Sequence, residues 1–252
     1  MFSYSIERFR REWLMLTVSV VLYFALSLGG SLLAAIPQTA GERYGFTAPT
    51  VIVLCVMYGA SYAIQGIALL GMTRVVVDVL QGGHADPVRV FSQTRKVGRY
   101  LLQLLVIVTA MVLFVGAFLG LAAIIAIARG APPTIDGLLP GPFTGEAAVL
   151  FLIAAAIAIG LGVYLFIPAY FASLELVLSD RIGPIDALRN CYAVVRGRRL
   201  IAFGVLIAMG VLALLGMLAC CVGFLPAFAF SMLLYAGLYL SLRNGAALPV
   251  PD

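Results

Sequence analysis

Charge is what this sequence has little of. Only 11% of its 252 residues are Asp, Glu, Lys or Arg, where soluble proteins carry about 25%. So few charges cannot cover the surface of a water-soluble fold, which excludes an ordinary soluble enzyme. Histidine occurs once, at His84. No second histidine, and no cysteine or carboxylate at helix spacing, completes a metal site around it. Its place in a GGHAD turn fits a local turn contact with Asp86. The four cysteines, Cys55, Cys191, Cys220 and Cys221, form no CxxC and exclude a disulfide-knit miniprotein. No nucleophile stands beside a base, and no phosphate or dinucleotide fingerprint follows a strand. These absences point to a protein that is not an enzyme and carries no cofactor.

What fills the chain is apolar. Hydrophobic residues make up 63%, and the mean hydropathy is +1.11. That excludes a disordered chain. A helix needs about 20 apolar residues to cross the hydrocarbon core. Six segments reach that length, near residues 14–36, 50–72, 101–128, 147–169, 200–221 and 225–242. The runs are continuous and rich in Leu and Ala. A membrane β-barrel would instead alternate apolar and polar residues. The expected fold is all-α, a single integral membrane domain over 1–252 with six transmembrane helices. The first run begins with basic residues and contains Ala34-Ala35, features shared with signal peptides. It exceeds the roughly 7–15 residues of a signal-peptide core, so it reads as a retained span.

The links between spans differ sharply in charge. Fourteen basic residues fall on the N-terminus, on the links after the second and fourth spans, and on the tail. Only Arg43 and Arg129 fall on the other side. An excess of Lys and Arg marks the cytoplasmic side. Both termini are therefore expected in the cytoplasm, with the chain in a bacterial inner membrane. The net charge of +5 then needs no nucleic-acid partner. Anionic lipid is the natural counterpart.

Sliding the chain by 97 residues lays segment 73–100 on 170–197. Asp78 then falls on Glu175, Pro87 on Pro184 and Arg99 on Arg196. The correspondence lies in pattern more than identity. After each proline, apolar or small residues recur on one helical face. They are Val90, Phe91, Thr94, Val97 and Gly98 in one copy, and Ala187, Leu188, Cys191, Val194 and Val195 in the other. Each copy reads as a span, a turn, an amphipathic elbow helix opened by proline, a basic cluster and the next span. The expected repeat units are 73–128 and 170–221. Asp86 is placed to cap the first elbow. Residues 1–13 read as a further amphipathic interfacial helix, with Phe2, Ile6, Phe9 and Trp13 on one stripe. Arg8, Arg10 and Arg11, with Arg95, Lys96, Arg99, Arg196, Arg198 and Arg199 on the elbows, are the candidate contacts to anionic lipid.

Charge inside a span usually marks a transport path. No charged residue lies near a span centre. Ser61 and Gln65, one turn apart with Tyr58 and Tyr62 nearby, form the best polar seam. It reads either as interhelical glue or as a solute site. Pro168 is expected to kink the fourth span. Gly116 and Gly120 could let helices approach. Cys55, Cys220 and Cys221 fall toward outer span ends, where packing or a disulfide is open. Cys191, on an elbow's apolar face, is open to packing or to acylation.

Six spans with basic elbows around a Gly/Pro turn, here GGHADPVRVF and RIGPIDALRN, resemble a group of bacterial multi-pass proteins. That group includes the membrane domain attached to some glycerophosphodiester phosphodiesterases. The resemblance implies a membrane module and no reaction. The functional expectation is a structural or accessory subunit, as a homo-oligomer or with a membrane-complex partner, whose basic elbows and shallow apolar wedges contact lipid. The alternative is a small transporter or channel for an apolar or amphipathic solute.

Overall fold

A computed structural model describes residues 2–44, 47–128, 146–179, 182–218 and 223–244. The described residues are almost entirely helical and contain no strand. The elements are α1 (Phe2–Tyr44), α2 (Ala48–Leu80), two 3₁₀ turns (Pro87–Phe91 and Thr94–Lys96) and α3 (Val97–Ala128). They continue with α4 (Glu146–Tyr170), α5 (Ala172–Leu178), α6 (Pro184–Val195), α7 (Arg199–Leu218) and α8 (Phe224–Arg243). Six helical stretches are long and apolar enough to cross a membrane: Ser3–Ala35, Pro49–Leu80, Pro87–Phe118, Ala156–Leu178, Arg199–Leu218 and Phe224–Arg243. That composition fits a multi-pass membrane protein. The link 129–145 and the Cys220–Cys221 pair lie outside the described residues.

Two compact units make up the chain, residues 1–103 with 168–252, and residues 104–167. In the first, α1 and α2 run antiparallel. The Tyr4 hydroxyl donates to the Leu80 carbonyl at 2.8 Å, joining the start of one to the end of the other. α8 lies along α1 through rings. Tyr23 stacks on Phe228 at 5.6 Å, and Phe9 meets Phe230 edge-on at 5.4 Å. Gly216 lies so close to α8 that a Cβ there would sit 2.7 Å from that of Ala227, which closes α7 and α8 as a tight hairpin. In the second unit, Phe114 and Phe166 meet edge-on at 6.2 Å. They flank a wholly apolar groove of about 510 Å³ that also includes Met111 and Ile159. A Cβ placed on Gly116 or Gly120 would meet nothing within 4 Å among the described residues.

The turns follow from local chemistry. α2 stops because Gly82 adopts φ +93°, a conformation only glycine takes at little cost. Gly82 N then donates to Val79 O at 3.2 Å and Gly83 N to Asp78 O at 2.8 Å, satisfying the last carbonyls. Asp86 Oδ1 accepts from Val88 N at 3.0 Å and opens the first elbow. From there the elbows differ. The second forms the α-helix Pro184–Val195. The first winds into two 3₁₀ turns instead of the expected α-helix. Ser92 Oγ donates to Arg89 O at 2.7 Å, and such side-chain bonds compete with helical ones. The backbone of Val90 also lies directly on Gly71, where a Cβ would collide with the Val90 carbonyl.

Residues 2–13 are continuous with the rest of α1. From Phe2 onward they are the first turns of α1, with no glycine or proline before Gly29 to interrupt it. Pro168 sits inside α4, and the helix breaks three residues later, at Phe171.

Candidate functional site

The two carboxylates that correspond across the 97-residue shift are both buried where a span meets its elbow. Asp78 is 7% exposed and Glu175 is 2% exposed. An ionised carboxylate in such a place needs partners. Asp78 receives Arg74 Nε at 3.0 Å from its own helix. It also receives Arg89 Nη1 at 2.8 Å from the first elbow. Glu175 Oε2 accepts from the Tyr239 hydroxyl at 2.6 Å. Its Oε1 faces Asn190 Nδ2 at 3.4 Å and Arg243 Nη2 at 3.5 Å. Asp78 thus holds the first elbow to α2. Glu175 holds the second elbow and α8 to α5.

Further bonds join these parts. Lys96 Nζ donates to Leu176 O at 2.9 Å and Val177 O at 3.1 Å, so a cation of the first elbow caps the last carbonyls of α5. The break at Phe171 is covered by Tyr235, whose hydroxyl donates to Tyr170 O at 2.5 Å. Tyr235 and Tyr239 also stack on Phe171 at 5.1 and 5.6 Å. Glu12 Oε1 lies 2.8 Å from His84 Nδ1, tying α1 to the turn before the first elbow.

The apolar faces read from the sequence turn inward only in part, for Phe91 is 46% exposed and Thr94 and Gly98 are exposed. Val90, Val97, Ala187, Cys191 and Val195 are all buried. Cys191 is fully enclosed, with its sulfur 3.4 Å from the Tyr239 hydroxyl, so packing rather than a lipid-facing thiol describes it. Burial pushes that thiol up to about 12 from its ordinary 9.0. Two further apolar side chains stand outside with Phe91. Val88 is 75% exposed and Ile185 is 66% exposed, and the two correspond across the shift. Each follows the proline that opens its elbow.

The nine basic candidates divide. Arg10, Arg11, Arg95, Arg99, Arg196 and Arg198 are exposed. Arg8 bonds Tyr4 Oη through Nε at 3.3 Å. Arg199 lies over the Tyr192 ring at 5.8 Å, and Lys96 turns inward to the α5 carbonyls. All nine sit on the end of the first unit that gathers the start of α1, the end of α2, both elbows and Arg243.

Ser61 and Gln65 come together as spaced, with Gln65 Nε2 3.5 Å from Ser61 Oγ. They line a cavity of about 220 Å³ between α1 and α2, with Ser31, Ala34, Ala35, Tyr58 and Tyr62. Sequence reading missed the roles of Tyr235, Tyr239, Asn190 and Arg243. The correspondence of Asp78 with Glu175 was the available signal for them. Among the described residues, no cluster of His, Cys, Asp and Glu could hold a metal ion.

Comparison with protein-family models, with curated proteins and with solved structures finds no match.

Proposed function

We propose that this chain is a non-enzymatic membrane scaffold, a structural or accessory subunit whose two elbows rest on the anionic cytoplasmic leaflet of a bacterial inner membrane. One observation carries the reading. Val88 and Ile185 stand exposed at equivalent points of two elbows that buried carboxylates hold in place. Exposed Arg95, Arg196 and Arg198 follow on the same elbows. An apolar tooth beside cations is the pattern of a surface that sits in the headgroup region. Each cation near that surface adds on the order of 1 kcal/mol of attraction to anionic lipid. Because the elbows are clamped, little ordering cost is left for binding.

The test is native mass spectrometry of protein released from nanodiscs of mixed phosphatidylglycerol and phosphatidylcholine. The wild type is expected to retain phosphatidylglycerol selectively. The triple variant R95Q/R196Q/R198Q is expected to lose that selectivity severalfold, and V88S/I185S to weaken total lipid retention. Unchanged retention in both would reject the proposal.

The cavity at Ser61 and Gln65 favours a second reading, passage of a small amphipathic solute. It lies within the span-forming part of α1 and α2, and hydroxyls and an amide share its lining with alanines. Flux in proteoliposomes that is lost in S61A/Q65A would raise it above the first.

A further inference from the structure

The cavity between α1 and α2 has a floor, a mouth and a rim, and each restricts what can enter. Ser61 forms the floor at 2% exposed, with the Gln65 amide beside it. Gly30 lets α1 approach there, since a Cβ would stand 3.2 Å from Ser61 O and 3.3 Å from Gln65 Cγ. One turn further along, Ala34 is too small to fill the space that opens. Ser31 and Tyr62 stand exposed at the mouth.

Among the described residues, the lining carries hydroxyls and an amide and no charged side chain. An ion would enter without a counter-charge, at a high desolvation cost. A hydrocarbon chain would leave the buried hydroxyl and amide without new partners. A neutral group that both donates and accepts hydrogen bonds satisfies Ser61 and Gln65 together. The cavity measures about 220 Å³. That is room for a small polyol and not for a whole lipid.

The rim settles how such a group arrives. Leu28 lies three residues before Ser31 on α1 and four before Leu32, so it neighbours both by helical spacing and the two leucines flank the mouth on one side. They are 63% and 68% exposed. Both belong to the span Ser3–Ala35, so hydrocarbon surrounds the mouth. We propose that this cavity binds the uncharged, hydroxyl-bearing head of a single-tailed amphiphile, with the tail lying along Leu28 and Leu32. The inference deepens the second reading above by naming its ligand class, and it requires binding at that site without requiring movement across the membrane.

Binding is measured by native mass spectrometry of the full chain in detergent, with a 1-monoacylglycerol, the fatty acid of the same chain length, and free erythritol as probes. The monoacylglycerol is expected to bind more tightly than either control. Gln65→Leu is expected to weaken it about tenfold, the loss corresponding to about 1.4 kcal/mol. Ala34→Phe, which plugs the cavity, is expected to abolish it. Tyr62→Phe, at the exposed mouth, removes a hydroxyl without disturbing packing and is expected to weaken it severalfold. Equal binding of the fatty acid, equal binding of erythritol, or binding unaffected by all three substitutions would overturn the inference. A fluorescent monoacylglycerol in proteoliposomes separates the two claims. Cavity-dependent binding without transbilayer movement leaves this inference standing and removes the transport reading.

Discussion

The Tyr239 hydroxyl donates a 2.6 Å hydrogen bond to Glu175 Oε2, joining the last span to the short helix that ends the fourth. Glu175 is almost wholly enclosed, so this bond replaces water that the carboxylate has lost. Removing a donor from a buried acceptor typically costs about 1–3 kcal/mol, more when the acceptor is charged. Tyr239→Phe is therefore expected to lower stability by at least about 1 kcal/mol in detergent, followed by thermal unfolding. In the double variant with Glu175→Gln the two losses should not add, because the residues share one interaction. Additive losses would show that the bond does not tie the elements together.

Cys191 gives a pH dependence with a definite sign. Burial, the largest cause, raises its thiol to about 12. In the unfolded chain the thiol ionises at its ordinary 9.0. Below that pH both states hold the proton, and the contribution to stability is complete. Above it the unfolded chain releases a proton that the folded chain keeps. Stability then falls by up to about 1.4 kcal/mol per pH unit until the folded thiol ionises. Denaturant unfolding between about pH 8 and about pH 10 should show a shallower decline in Cys191→Ala than in the wild type. Equal slopes would contradict the buried thiol.

Glycines at two positions of comparable sequence context should differ in cost. At Gly71 an added methyl group meets the Val90 backbone, and at Gly29 it meets nothing within 4 Å. Overpacking against backbone costs about 1–3 kcal/mol, whereas an unhindered helical Gly→Ala gains up to about 1 kcal/mol. Gly71→Ala should destabilise the protein and speed amide exchange across residues 87–91. Gly29→Ala should do neither.

The spans were readable because the hydrocarbon core demands long apolar runs, and few other solvents leave so plain a trace. The shift that aligns Asp78 with Glu175 was readable too, but not what it builds. Arg89 reaches Asp78 from 11 residues away, while Asn190 reaches Glu175 from 15. The two segments therefore share the position of a buried carboxylate without sharing its partners. Periodicity marked the apolar face of each elbow without showing whether lipid or protein would cover it. Tertiary packing decided that, enclosing Val90 and Cys191 and leaving Phe91 outside with Val88 and Ile185. Lys96 looked like one member of a basic cluster. Only the fold brings it against the carbonyls of Leu176 and Val177. The helical type of the first elbow goes with a local bond, from Ser92 Oγ to Arg89 O, and with a close backbone approach at Gly71 that has no local signature.

Both elbows are expected to present their arginines to one compartment. Single cysteines at Arg95 and Arg196, in a chain whose native cysteines are replaced, are to be labelled with an impermeant maleimide in intact cells and in inverted vesicles. A third cysteine at Thr134, in the link between the third and fourth spans, serves as the opposite-side reference. Arg95→Cys and Arg196→Cys are expected to react only in inverted vesicles, and Thr134→Cys only in intact cells. Labelling of the two elbow positions from opposite sides would contradict the claim.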